Sequence, residues 1–333
     1  MYFDVAMPLT LFAVTVVSLF LNRKVERKLK STFEEREFRI RDVILLVVSI
    51  SVMVSLIVLI PQMFLMIMFL FSYSVLLFIF TYLFSDFGTM RAKTFVSLFL
   101  VAFFTVATFS LINFGVNAIS AYGALTLYSL FGLTFLALLY EETRTHTGER
   151  WYLAVLPPTF FLCLYIFFRM TPLWFPYLLN LFGALFSILI VVYMSSLFTW
   201  KTFLFFTSVL TSVDVILVLV TGSMVSASQH VSSLRLPILM SMPTVPAILT
   251  RFGALYVSLG LGDFFFAGLI ATQSQKRFGD RFAVLSIIVM SISFFLFEAF
   301  MLNYEWRALP GTVMIVAGWI PLILWKKSVS RRR

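Results

Sequence analysis

Long apolar segments alternate with short charged or proline-containing breaks along the whole chain. Each segment holds about 20 residues, the length that an α-helix needs to cross about 30 Å of hydrocarbon. The pattern therefore predicts nine to eleven membrane-spanning helices. The eleven segments are 3–21, 43–60, 62–84, 94–117, 120–140, 151–169, 173–198, 202–222, 253–274, 282–303 and 308–325.

Two places in this pattern allow more than one interpretation. Only Pro61 separates the segments 43–60 and 62–84, so one kinked helix or a re-entrant segment is an alternative to two helices. The longest connection, 223–252, contains three prolines and the stretch "LPILM" between polar residues. That composition favours a short extended segment in an otherwise helical protein.

The composition agrees with a membrane location. Of 333 residues, 61% are hydrophobic and 12% are charged, and the mean hydropathy is +1.01. These values exclude a soluble globular protein and predict an all-α polytopic protein integrated in the lipid bilayer. No Asn-x-Ser/Thr sequon occurs, which mildly favours a prokaryotic cell membrane.

Charge placement predicts the orientation of the helices. With eleven spans, all the basic clusters fall on one side, so the N-terminus is expected outside and the C-terminus in the cytoplasm. The net charge of +10 then reflects topology, and no nucleic-acid partner is expected. The clusters are 23–41, 91–93, 144–150, 276–281 and 326–333.

Three carboxylic acids lie inside the predicted helices: Asp214, Asp263 and Glu298. Asp214 is about 12 residues into its segment, and Asp263 is about 10 residues into the next one, counted from the opposite side. Both are therefore expected roughly 15–18 Å into the membrane. Glu298 is nearer a helix end and is interpreted as a solvated end group or a helix-pairing hydrogen bond.

The residues around the two aspartates favour contact with protein or water over lipid. Thr207, Thr211 and Thr221 recur at helical spacing and predict one polar stripe on the helix of the first aspartate. Gly260 and Gly262 precede the second aspartate and leave room for another helix or an extended peptide backbone.

Paired acids of this kind suit two chemistries. Two carboxyls in one low-dielectric pocket are expected to share a proton, so that one activates a water while the other polarises a peptide carbonyl, as in aspartic proteases. Such acids also suit the ion or proton relay of a transporter. Both histidines, His146 and His230, fall in predicted connections, so neither a zinc site nor a serine–histidine pair is predicted, and we expect no cofactor.

An ordered set of motifs resembles a known family. The stretch "GLGD" at 260–263 resembles the Gly-x-Gly-Asp signature of the presenilin and signal peptide peptidase superfamily of intramembrane aspartyl proteases, of an archaeal type. Asp214 on the preceding segment, "RLPILMSMPTVP" at 235–246 and "ALPG" at 308–311 resemble further elements of that family in the same order. The likeness covers about residues 150–325.

The resemblance implies a presenilin-like bundle with nine core spans. It implies an intramembrane aspartic endopeptidase that cleaves transmembrane, signal-peptide-like or type II substrates, with Asp214 and Asp263 as the catalytic residues. Val213 stands where the family often has Tyr, and Arg307 stands where the Pro-Ala-Leu motif has its first proline. The residues expected to contact substrate are Gly260, Leu261, Gly262, Leu236, Pro237, Ala308, Leu309 and Pro310.

The resemblance also suggests that the two halves of the chain have different functions. Residues 1–150 are expected to provide scaffold and substrate access, and residues 151–333 to form the catalytic region. Two alternatives remain open: an ion- or proton-coupled transporter with midplane aspartates, and a catalytically silent membrane scaffold. The expected partners are transmembrane peptides and the bilayer, and the sequence leaves the oligomeric state open.

Overall fold

The chain is mostly helical in the part that the structure describes. The computed structural model describes residues 2–32, 37–85, 88–114, 118–144, 150–251, 253–304, 306 and 308–331. The helices are α1 (Ala6–Thr32), α2 (Ile40–Leu56), α3 (Gln62–Leu83), α4 (Thr89–Phe114), α5 (Ala118–Thr143), α6 (Leu156–Phe168), α7 (Leu179–Met194), α8 (Trp200–Val215), α9 (Ser223–Ser232), α10 (Leu261–Phe278), α11 (Asp280–Asn303) and α12 (Gly311–Arg331). A 3-10 turn (Trp151–Val155) precedes α6, and π-helical turns precede α7 (Leu173–Leu178) and extend α8 (Ile216–Val220).

Each of the eleven predicted segments contains one of these helices. By length and composition, eight helices of the described residues can cross a membrane: α1, α3 to α8 and α11. The chain is therefore an α-helical, multi-pass integral membrane protein. The helices α2 and α3 are separate, since α2 ends at Leu56 and α3 begins at Gln62.

Four short strands interrupt the helical pattern between α9 and α10. Strand β1 (Leu239–Pro243) pairs antiparallel with β4 (Tyr256–Gly260), and β2 (Leu249–Thr250) pairs with β3 (Gly253–Ala254). Together they form a hairpin that leads directly into α10. The extended segment predicted in this connection is thus present.

Helix α10 is the centre of one compact unit, which comprises residues 1–66 and 176–333. It contacts α1, α7, α8, α11 and α12, which surround it. Phe264, Phe266 and Ile270 of α10 are fully buried. Asp263 therefore lies at the start of the most enclosed helix of this unit.

The second compact unit comprises residues 67–175. Helix α4 packs along α5, and Val96 and Leu153 belong to its buried core. Arg150 Nε donates hydrogen bonds of 3.0 and 3.1 Å to both carboxylate oxygens of Glu141, and both side chains are buried. The first unit combines α1 and α2 with the helices from α7 onward, so the two compact units do not divide at residue 150. The functional division at that residue remains a prediction.

Two local predictions are wrong. Residues 253–260 are not helical, because the backbone of 256–260 pairs with β1, and a short apolar run does not by itself distinguish a strand from a helix. The alternation of exposed Tyr256 and Ser258 with buried Val257 and Leu259 is the strand signal. His230 lies in α9 rather than in a loop, while His146 lies outside the described residues.

Candidate active site

Asp263 lies in the first turn of α10, three residues after the end of β4. Gly260 has an extended backbone and caps the helix, and a methyl group on Gly260 would lie 3.5 Å from Asp263 Oδ2. Asp263 is therefore an acid in the first turn of a helix, where the N–H groups have no partner within the helix and favour a negative charge. Asp263 is therefore not ten residues into a helix, as the apolar pattern suggested, but at a strand-to-helix junction that fixes its direction.

Asp214 is the penultimate residue of α8 and is only 8% exposed. Its Oδ2 accepts a hydrogen bond of 2.6 Å from Thr312 Oγ1 and a longer one of 3.3 Å from the Thr312 backbone N–H. Both donors lie at the beginning of α12, where N–H groups have no partner within the helix and favour a negative charge. The carboxylate is thereby held at a helix N-terminus.

The first two residues of α12 join the two acids. A methyl group on Gly311 would lie 2.5 Å from Asp263 Oδ1 and 2.9 Å from Oδ2, so the bare Cα of Gly311 packs against this carboxyl. The next residue, Thr312, binds Asp214. Since consecutive Cα atoms are about 3.8 Å apart, the two carboxyls flank one short stretch of backbone.

A partly open groove of about 560 Å³ lies between α8 and α12 and is lined mostly by apolar side chains. Its α8 side carries the hydroxyls of Thr207, Ser208, Thr211 and Ser212, and its last lining residue on α8, Val215, follows Asp214 in the chain. The hydroxyls of Thr207 and Thr211 are buried there and have no hydrogen-bond partner among the described residues. Thr221 does not join this stripe, because it lies beyond the π-turn and bonds to Ser223 instead.

The hairpin β1–β4 has one edge covered and one edge open. Ser241 of β1 donates its N–H to Asn180 Oδ1 at 2.8 Å and accepts from Asn180 Nδ2 at 2.6 Å, so the side chain of α7 occupies the outer edge of β1. The pair Ser241 and Ser258 is therefore a non-hydrogen-bonded pair of the ladder, and the N–H and C=O of Ser258 point to the outer edge of β4. The sheet has two strands, so no third strand of the described residues covers that edge.

Two of the residues expected to contact substrate, Leu236 and Pro237, lie immediately before β1. Leu236 is buried, and its carbonyl accepts from Ile238 N in a tight turn before β1. Pro237 lies inside the same turn. The open edge belongs to β4 instead, the strand that ends at Gly260.

The other residues expected to contact substrate lie in different surroundings. Pro310 begins α12, because its carbonyl accepts from Val313 N and Met314 N. Leu261 is buried, and its N–H donates to Ile238 O, so it fixes the hairpin to the helix. The remaining three residues lie as follows: Gly262 faces open space, Ala308 is partly exposed, and Leu309 lines a separate apolar groove with Leu296, Phe297, Phe300 and Trp306.

Sequence reasoning missed the two residues that bring the acids together. Gly311 closes the stretch "ALPG", and Thr312 follows it, but neither carries a pattern that indicates contact with a carboxylate. Arg307, the position where the Pro-Ala-Leu resemblance is weakest, lies outside the described residues.

No protein-family model matches the sequence, and no curated protein matches it.

Proposed function

We propose that this chain is an intramembrane aspartyl protease of the presenilin and signal peptide peptidase type, acting on transmembrane peptides. One observation carries the proposal: Asp214 and Asp263, on two different helices, flank the single backbone stretch Gly311–Thr312. Buried acids in a membrane protein are costly and commonly mark a functional site. We extend the proposal to nine or more spans with a cytoplasmic C-terminus.

In the proposed reaction the two carboxyls share one proton. One carboxylate removes a proton from a water, whose oxygen attacks the peptide carbonyl carbon while the protonated acid donates to the carbonyl oxygen. The tetrahedral intermediate then breaks its C–N bond: the carboxyl that took the proton from water gives it to the leaving nitrogen, and one hydroxyl of the intermediate returns its proton to the other carboxylate. The groove along Thr207 and Thr211, with its unpartnered hydroxyls, is a candidate route for that water.

The open edge of β4 is the proposed docking site for substrate. A transmembrane helix must unwind before hydrolysis, and its freed backbone groups need partners in the absence of water. An extended peptide added to the outer edge of β4 would obtain such partners with little demand on its side chains. That strand leads into Gly260 and Asp263, so the peptide bond is delivered beside the acids.

Replacing Ser258 with proline should weaken this docking. The backbone N–H of Ser258 points outward and makes no bond in the β1–β4 ladder, so the Ser258→Pro variant is expected to fold. The substitution removes one hydrogen-bond donor to the substrate. One hydrogen bond contributes about 0.5–1.5 kcal/mol, so we expect kcat/KM to fall roughly 2- to 12-fold. The control is Ser258→Ala, which keeps the N–H; equal kinetics of the two variants would exclude β4 as the docking edge.

One assay separates the proposed protease from its rivals. The purified chain is reconstituted into liposomes with a transmembrane peptide that carries a fluorescence donor and quencher, and proton and sodium flux are recorded in parallel. We expect cleavage without flux. Flux without cleavage would support a transporter, and the lack of both would favour a silent scaffold.

A further inference from the structure

A second pair of buried acids, Asp4 and Glu298, lies in the same unit as the two aspartates. Glu298 of α11 is only 1% exposed, and neither of its carboxyl oxygens has a hydrogen-bond partner among the described residues. It is thus neither a solvated end group nor part of a helix-pairing bond with a neutral donor. Asp4, also fully buried, belongs to the segment that packs against this part of α11, where the ring centres of Phe3 and Phe295 are 6.4 Å apart.

The Asp4 carboxylate accepts three backbone hydrogen bonds. Its Oδ1 accepts from the N–H of Ala6 at 3.0 Å and from that of Val245 at 2.7 Å, and its Oδ2 accepts from Met7 N at 3.2 Å. Asp4 therefore caps α1 and, at the same time, holds the loop that follows β1. Three backbone donors suit an ionised carboxylate.

The two environments fit only one arrangement of charge. An ionised aspartate has no hydrogen to give, so it offers nothing to a second carboxylate beside it. A buried Glu298 carboxylate would then be an uncompensated charge, which is strongly unfavourable. A neutral Glu298 has one O–H group to donate. The Asp4 carboxylate is an acceptor that can receive this hydrogen bond.

We propose that Asp4 and Glu298 bind one proton between them, at a site separate from Asp214 and Asp263. The pair fastens the segment 2–5 to α11. The same segment is joined to α11 by Asn303, which bonds to Tyr2 N at 2.8 Å and to Tyr2 O at 2.6 Å.

This proton-linked pair positions the candidate catalytic helix through the hairpin. Val5 N donates to Val245 O at 2.9 Å, so the segment 2–5 makes two bonds to the loop after β1. Strand β1 pairs with β4, and β4 continues into Gly260 and Asp263. Glu298 is therefore a positioning residue for Asp263; this role rests on the proposed protease function, whereas the shared proton does not.

Infrared spectroscopy tests the shared proton without any cleavage assay. The double variant Asp214→Asn/Asp263→Asn removes both candidate catalytic acids, and its spectrum is recorded at neutral pH in lipid. We expect a C=O stretching band of a protonated carboxyl group that disappears when Glu298→Gln is added. Absence of the band in the double variant, or its persistence after Glu298→Gln, would overturn the proposal.

Hydrogen exchange tests the positioning role. Glu298→Ala should increase amide exchange in residues 239–245 and 256–260 and lower the cleavage rate, while Glu298→Gln, whose amide can still donate to Asp4, should restore both. The matched control is Ser291→Ala, which removes another buried, unpartnered polar group of α11 and should change neither. Unchanged exchange in Glu298→Ala, or equal effects of the Ala and Gln variants, would exclude the role. A wild-type chain that does not cleave would refute the protease but leave the infrared and exchange results to decide this proposal.

Discussion

Replacing either Asp214 or Asp263 with asparagine is expected to lower the cleavage of a reconstituted transmembrane substrate by about 10²–10⁴-fold, the contribution typical of a positioned acid or base. Each acid has a separate role in the proposed reaction, so neither can substitute for the other. The measurement is the initial rate of peptide cleavage in liposomes, with kcat and KM determined separately.

The asparagine variants should keep the fold. The amide oxygen of Asn at position 214 can still accept from Thr312, and Asn at position 263 has nearly the same volume as the aspartate it replaces. Asp280→Asn provides the matched control, because Asp280 is an exposed acid that pairs with Arg23 away from both aspartates. Full activity in either Asp214→Asn or Asp263→Asn would refute the proposed mechanism.

Replacing Gly311 with alanine is expected to lower kcat by about 10²-fold, the loss that a displacement of about 1 Å produces at a reacting group. The added methyl would overlap the Asp263 carboxyl, at 2.5–2.9 Å from its three atoms. The carboxyl would have to rotate away from Gly311, and the shared alignment with Asp214 would be lost. The rate of cleavage under saturating substrate measures this effect.

The same substitution should leave stability nearly unchanged. The overlapping atoms are the end of a side chain that can move, and alanine is favourable in the first turn of a helix. Gly132→Ala in α5 is the control, since a methyl there meets no atom within 4 Å. If Gly311→Ala lowers the unfolding temperature in proportion to its loss of activity, the effect is structural and the proposed close approach to Asp263 plays no separate part.

The sequence predicted the helices well and their boundaries near Asp263 poorly. Hydrophobicity is a property of the local sequence, so the apolar pattern is sufficient to locate a helix in each of the eleven segments. The stretch 256–260 belongs to one of these apolar segments, but it satisfies its backbone groups by pairing with β1, a partner about 17 residues away along the chain. The short alternation over 256–259 is typical of a strand, but it does not indicate which distant segment pairs with it.

The candidate site shows the same division. Asp214, Asp263 and the glycines before the second aspartate stand out from the sequence, because an acid in an apolar segment is rare and costly. Gly311 and Thr312 do not stand out, since glycine and threonine are common in membrane helices. Their importance comes from contacts with residues tens of positions away.

By itself, the sequence determined that this is a multi-pass membrane protein with unusual acids inside its apolar segments. Only the tertiary structure decided that α12 begins between the two aspartates, that β4 offers the open edge, and that Glu298 lies unpartnered beside Asp4. The physical reason is that the transfer of apolar residues into lipid depends on composition alone, whereas the pairing of a buried polar group depends on which distant residue the fold places beside it.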